Sequence, residues 1–171
     1  MKIYFANALF SHADFNYNAQ LAAQIRRALP DVDMYVPQEN AAINNKEAYA
    51  DSKMIAEADT KRLLSADLMI AILDGPVIDN GVASEIGVAY AAKIPILGLY
   101  TDSRRLGAAN QQKLNALQQV AENQFHYLNL YTTGLIKLNG AILTDESALI
   151  EAIKASQNGE WFNPKAFFSQ T

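Results

Sequence analysis

Residues 66–73 read Ala-Asp-Leu-Met-Ile-Ala-Ile-Leu. After Asp67 no polar residue occurs until Asp74, so the run does not alternate. A strand with one face in water shows a polar side chain every second position, whereas a strand covered on both faces does not. The third strand of this chain is therefore expected to lie inside a sheet with helices on each side.

The flanking sequence alternates in the manner this demands. Lys2–Leu9, Val32–Val36, Ile94–Tyr100 and Gly134–Leu138 are the other strand candidates. Asp14–Leu29, Lys46–Leu64, Gly81–Ala92, Asn110–Asn123 and Glu146–Ser156 are the helices expected between and after them, with Gln38–Asn45 a polar loop. Pro30 closes the first helix and Pro37 the second strand. Strands alternating with helices predict a doubly wound, flavodoxin-like α/β fold: a parallel sheet of about five strands with helices on both faces. With 171 residues, no repeat and no linker, one domain over residues 1–171 is expected.

Composition narrows the partners. A net charge of −4 and a pI near 5.1 argue against nucleic acid or an anionic membrane. The absence of cysteine removes disulfides, thiol nucleophiles and cysteine-based metal sites. Met1–Phe5 runs directly into a strand pattern and no apolar stretch approaches a membrane span, so a cytoplasmic protein is expected. His12 and His126 stand in no metal-ligand spacing, and no metal is expected.

One carboxylate stands out. Glu85 is the only charged residue between Gly81 and Ala92, in a helix otherwise made of small and apolar residues. Burying a charge is costly unless it is paired or used. The segment before it, Asp74-Gly75-Pro76-Val77-Ile78-Asp79-Asn80-Gly81, follows the interior strand and adds two more carboxylates. In an open α/β sheet this is the end at which ligands bind. No Gly-x-Gly-x-x-Gly or P-loop pattern is present, and carboxylates at the helix start would repel a phosphate. They suit a reaction that develops positive charge and needs a proton, as cleavage of a glycosidic bond does. Glu85, with Ser84, Gly87 and Ala89 leaving room beside it, is the candidate nucleophile, and Asp79 is placed to reach the same pocket. Two plainer readings stand beside these: Asp79 as a helix cap, and Glu85 as a carboxylate satisfied by a backbone group or a tyrosine hydroxyl. Asp59 by composition belongs to a solvated helix face, and Asp102-Ser103-Arg104-Arg105 to a charged turn.

The run Asp79-Asn80-Gly81-Val82-Ala83-Ser84-Glu85-Ile86-Gly87, with Ala89 and then Lys93-Ile94-Pro95, resembles the nucleoside 2-deoxyribosyltransferase family. Its pattern is Asp-x-Gly-x-x-x-Glu-x-Gly-x-Ala followed by a Lys-Pro turn. The likeness extends from Lys2 to about Tyr131. The resemblance implies that Glu85 attacks C1′ of a deoxyribose, that Asp79 and Asp59 handle the nucleobase, and that the Tyr4 hydroxyl holds Glu85. It also implies that Gly81 and Tyr131 border the substrate. Asn129 would bind the sugar 5′-hydroxyl of a neighbouring subunit, making a homo-oligomer with shared sites. The partners implied are 2′-deoxynucleosides and free nucleobases, with no cofactor. Ala6-Asn7-Ala8 replaces the family's glycine-rich segment and Tyr131 its methionine, differences that bear on substrate preference. Transfer of a deoxyribosyl group is the leading expectation. Hydrolysis of deoxynucleosides or their 5′-monophosphates, and a non-enzymatic nucleotide-binding module, are the alternatives.

Overall fold

The computed structural model describes residues 1–41, 49–103, 109–120 and 128–160. Its five strands are β1 (Lys2–Ala6), β2 (Asp33–Tyr35), β3 (Leu68–Ile72), β4 (Ile96–Leu99) and β5 (Gly140–Leu143). Its α-helices are α1 (His12–Ala28), α2 (Ser52–Leu64), α3 (Asn80–Ala91), α4 (Gln111–Ala116), α5 (Leu130–Leu138) and α6 (Glu146–Gln157). A short 3₁₀ turn covers Pro37–Glu39. The strands form one parallel sheet in the order β2-β1-β3-β4-β5. The fold is therefore the doubly wound α/β arrangement expected, and all five residues of β3 are buried.

Side chains leave the sheet alternately and build two apolar layers. Ile3, Phe5, Leu68, Ile70 and Ile72 pack under α1 and α6, against Leu21, Ile25, Leu149 and Ile153. Tyr4, Ala6, Met69, Ala71 and Leu73 face the other way, against Leu63 of α2, Val82 and Ile86 of α3 and Ile136 of α5. Chain direction across the sheet reverses between β1 and β3. The loops leaving these strands run to opposite faces and open a crevice at their carboxyl ends.

Local chemistry fixes where the helices begin. Ser11 and Asp14 form a reciprocal capping box at α1, Asp51 caps α2, Asp79 caps α3 and Asn129 caps α5. α2 thus starts at Ser52 rather than Lys46, residues 46–48 lying outside the described residues. α4 is shorter than the expected Asn110–Asn123 helix, and residues 121–123 also lie outside the described residues.

One element differs in kind. Gly134–Leu138, expected as the fifth strand, is the second half of α5, and the strand is Gly140–Leu143. A short apolar run does not distinguish a strand from a buried helical turn by periodicity. The helix wins because Asn129 caps it and because Thr132, Thr133, Leu135 and Ile136 fall on one buried face while Leu138 is exposed. The strand starts at Gly140 for a steric reason: a Cβ there would run into the Ile96 carbonyl oxygen of the neighbouring strand.

Candidate active site

Glu85 is the sixth residue of α3, on the side turned toward β1. The Tyr4 hydroxyl donates to its Oε1 at 2.6 Å. Tyr4 itself is 0% exposed. Burial raises the Glu85 carboxyl to about 7, the Tyr4 hydrogen bond opposes the rise, and the charges of Asp59 and Asp79 add to it. Burial, and then the Glu85 carboxylate, push the Tyr4 hydroxyl far above the normal phenol range, so it remains a donor.

Asp59 lies on α2 and is half-buried rather than solvated as its composition implies. Its Oδ1 accepts from the Tyr35 hydroxyl at 2.9 Å. Burial raises its carboxyl and the Tyr35 hydrogen bond lowers it. Asp79 is the N-cap of α3, its Oδ1 accepting from Gly81 N at 2.8 Å and Val82 N at 3.1 Å. The plain capping reading is therefore correct as geometry, and it leaves Oδ2 for other work. A Cβ on Gly81 would stand 3.0 Å from Asp79 Oδ1, so glycine gives that carboxylate its room.

Tyr4, Glu85, Asp59 and Asp79 thus form one electrostatic cluster. Asn129 and Tyr131 are not tied to it: among the described residues no hydrogen bond joins them to the four. Asn129 Oδ1 accepts from Tyr131 N at 3.0 Å and Thr132 N at 3.1 Å, and Tyr131 is 76% exposed.

Three further residues shape this region, of which only Asp74 was named in the sequence analysis, as a carboxylate of the loop before Glu85 and without a partner. Tyr35 is one. Another is Asn18, inside α1 and 2% exposed. It accepts from Asn7 Nδ2 at 2.7 Å and donates to Ala8 O at 3.0 Å and Gln38 Oε1 at 2.9 Å, pinning the turn after β1. A buried polar residue inside an amphipathic helix was the available clue. The third is Asp74, which accepts from Thr101 N and Oγ1, both at 2.7 Å, and from Asp102 N at 3.0 Å. It clamps the turn after β4 to that after β3. Arg104, Arg105 and His126 lie outside the described residues.

Between these pinned turns lies a cavity of about 610 Å³, walled by Asn7, Ala8, Tyr17, Asp74, Asp79 and Thr101 among others. Glu85 and Tyr4 do not line it; Asp79 belongs both to its wall and to the electrostatic cluster. Among the described residues no group of three or more His, Cys, Asp or Glu could hold a metal ion. No helix among them is long and apolar enough to cross a membrane.

A flavodoxin-like sheet with a tyrosine-held carboxylate at its switch point defines a doubly wound α/β protein with an acidic cluster at the carboxyl ends of its strands. The sequence profile of nucleoside 2-deoxyribosyltransferases matches residues 3–131, and the chain belongs to that family, whose members act on nucleosides and nucleobases. A conserved protein from Enterococcus faecalis V583 is 65% identical, with a TM-score of 0.86 over 91% of this chain and 98% of that one. A 2-deoxyribosyltransferase from Bacillus psychrosaccharolyticus shares the fold at 19% identity, with a TM-score of 0.59 over 88% of this chain and 90% of that one. A 2-deoxyribosyltransferase from Leishmania mexicana does so at 20% identity, with a TM-score of 0.52 over 77% and 84%. No curated protein matches the chain.

Proposed function

We propose that the protein exchanges the base of a 2′-deoxynucleoside through a covalent glycosyl-Glu85 intermediate. The observation that carries this reading is the 2.6 Å hydrogen bond from Tyr4 to a half-buried Glu85 with two further carboxylates beside it. In the first step an oxygen of ionised Glu85 attacks C1′, the C1′–N bond breaks and the departing base takes a proton from a neighbouring carboxyl. In the second step another base attacks C1′, gives up its N–H proton to the carboxylate that protonated the first base, and displaces Glu85. Each displacement inverts the anomeric carbon, so the product retains the configuration of the substrate. The Tyr4 hydrogen bond favours the charged form of Glu85, which is the form that attacks.

Asp59 and Asp79 are assigned to the base. Both act on Glu85 from different elements, Asp59 from α2 and Asp79 from the loop that walls the cavity. The combined negative charge favours an uncharged nucleoside over its 5′-monophosphate. Asn129 and Tyr131 are exposed at the start of α5, and we assign them to the site of a neighbouring subunit.

Chromatography of deoxyinosine incubated with and without adenine, beside Glu85→Ala, tests the reading. Deoxyadenosine that forms only with adenine and intact Glu85 is the expected result. Hypoxanthine released at one rate with or without adenine would identify a hydrolase instead.

A further inference from the structure

We propose that Tyr35 is the positioning residue that orients Asp59 toward the nucleobase and ties that carboxylate to the Tyr4–Glu85 pair. The proposal rests on the assignment of Asp59 to the base made above. Tyr35 ends β2 and is the direct cross-strand partner of Tyr4 in β1. The two rings lie 5.6 Å apart between centroids, tilted by 34°. One face of this ladder thus carries Glu85 on the Tyr4 hydroxyl and Asp59 on the Tyr35 hydroxyl.

The direction of the hydrogen-bond chain is fixed by its donors. Asn40 Nδ2, which can only donate, stands 3.0 Å from the Tyr35 oxygen. The single phenolic hydrogen is then committed to Asp59 Oδ1 at 2.9 Å. Among the described residues Asp59 Oδ2 has no partner, and it is the oxygen offered to a ligand. The Arg62 guanidinium, three residues after Asp59 on the same helix, lies over the Tyr35 ring, 5.2 Å from its centroid. Burial is the main reason the Tyr35 hydroxyl is pushed up to about 12, so it donates throughout the neutral range. The titratable groups facing Asp59 are Tyr35 from β2, Tyr4 from β1 and Glu85 from α3, while Arg62 of α2 faces the Tyr35 ring.

Tyr35→Phe keeps the ring and removes only the hydroxyl. Two measurements on the full chain read its effect beside the wild type: the Asp59 carboxyl titration followed by ¹³C NMR, and the split of transfer kinetics into kcat and KM for the acceptor base. The expected result is an Asp59 titration moved to higher pH and a KM raised about tenfold, the scale of a hydrogen bond to a charged group, with kcat little changed. An unmoved Asp59 titration, or a loss falling on kcat with KM intact, overturns the proposal. Should Tyr35→Phe not fold, Asn40→Ala weakens the same donor and is expected to move Asp59 in the same direction by less, and no movement there overturns it equally. A wild-type chain without transfer activity would refute the base-exchange reading, while the NMR titration still decides whether Tyr35 governs Asp59.

Discussion

The Tyr4 hydroxyl and the Glu85 carboxylate meet at 2.6 Å across 81 residues of sequence. Tyr4 is the central residue of the five in β1, Glu85 sits in the second turn of α3, and the sheet order brings them together. The contact lowers a carboxyl that burial and the neighbouring acids raise to about 7.

Tyr4→Phe removes that opposition. The pH–rate profile of kcat/KM is expected to show an acid limb near 7 in the wild type, and the limb is expected to move to higher pH in the variant. At pH 7 the loss should be about ten- to hundredfold, the worth of a hydrogen bond to a charged group. An unmoved limb would show that Glu85 is not the group being titrated.

Glu85 also exacts a cost in stability. Its carboxyl titrates at about 7 in the fold against an ordinary 4.5, so between these values the folded chain binds more protons than the unfolded one and stability falls as pH rises. Glu85→Gln cannot ionise and still accepts from Tyr4. Urea unfolding should find it more stable than the wild type at pH 8, by up to about 3 kcal/mol, with the difference shrinking toward pH 5. Equal stability at both values would mean that Glu85 titrates normally.

Asp79 has two separable duties. Asp79→Ala should lose the α3 cap and about 1 kcal/mol of stability. Asp79→Asn keeps a capping oxygen but removes the charge, so stability should hold while the Glu85 limb moves to lower pH. Thermal unfolding and the pH–rate profile of the two variants separate the duties. Identical profiles in Asp79→Asn and wild type would confine Asp79 to capping.

Asn129 caps α5 with the same side chain assigned to a neighbour's substrate. Asn129→Ser preserves a cap and removes the amide. Mixed oligomers of Asn129→Ser and Glu85→Ala are expected to recover transfer that each lacks alone, since some sites then draw an intact residue from each chain. No recovery after subunit exchange, shown by native mass spectrometry, would place Asn129 outside the active site.

Much of this was readable before any coordinates. The non-alternating apolar run of β3 required helices on both faces, and the lone Glu85 in a small-residue helix marked the crevice. Composition misplaced Asp59, because a helix rich in Lys and Glu looks solvated all round, and only the spacing to Glu85 set it apart. Gly134–Leu138 was misassigned because its apolar residues fit either period over so short a run.

Sequence by itself determined the layers, the strand interior and the motif around Glu85, since those depend on local pattern and on which residues tolerate burial. The Tyr4–Glu85 hydrogen bond was implied by the family resemblance, and the structure shows it at 2.6 Å; only the tertiary structure decided that Tyr35 holds Asp59 and that Asn18 and Asp74 pin the crevice walls. These are hydrogen bonds between residues far apart or on different elements. Their partners are chosen by strand order and register, which no local pattern encodes.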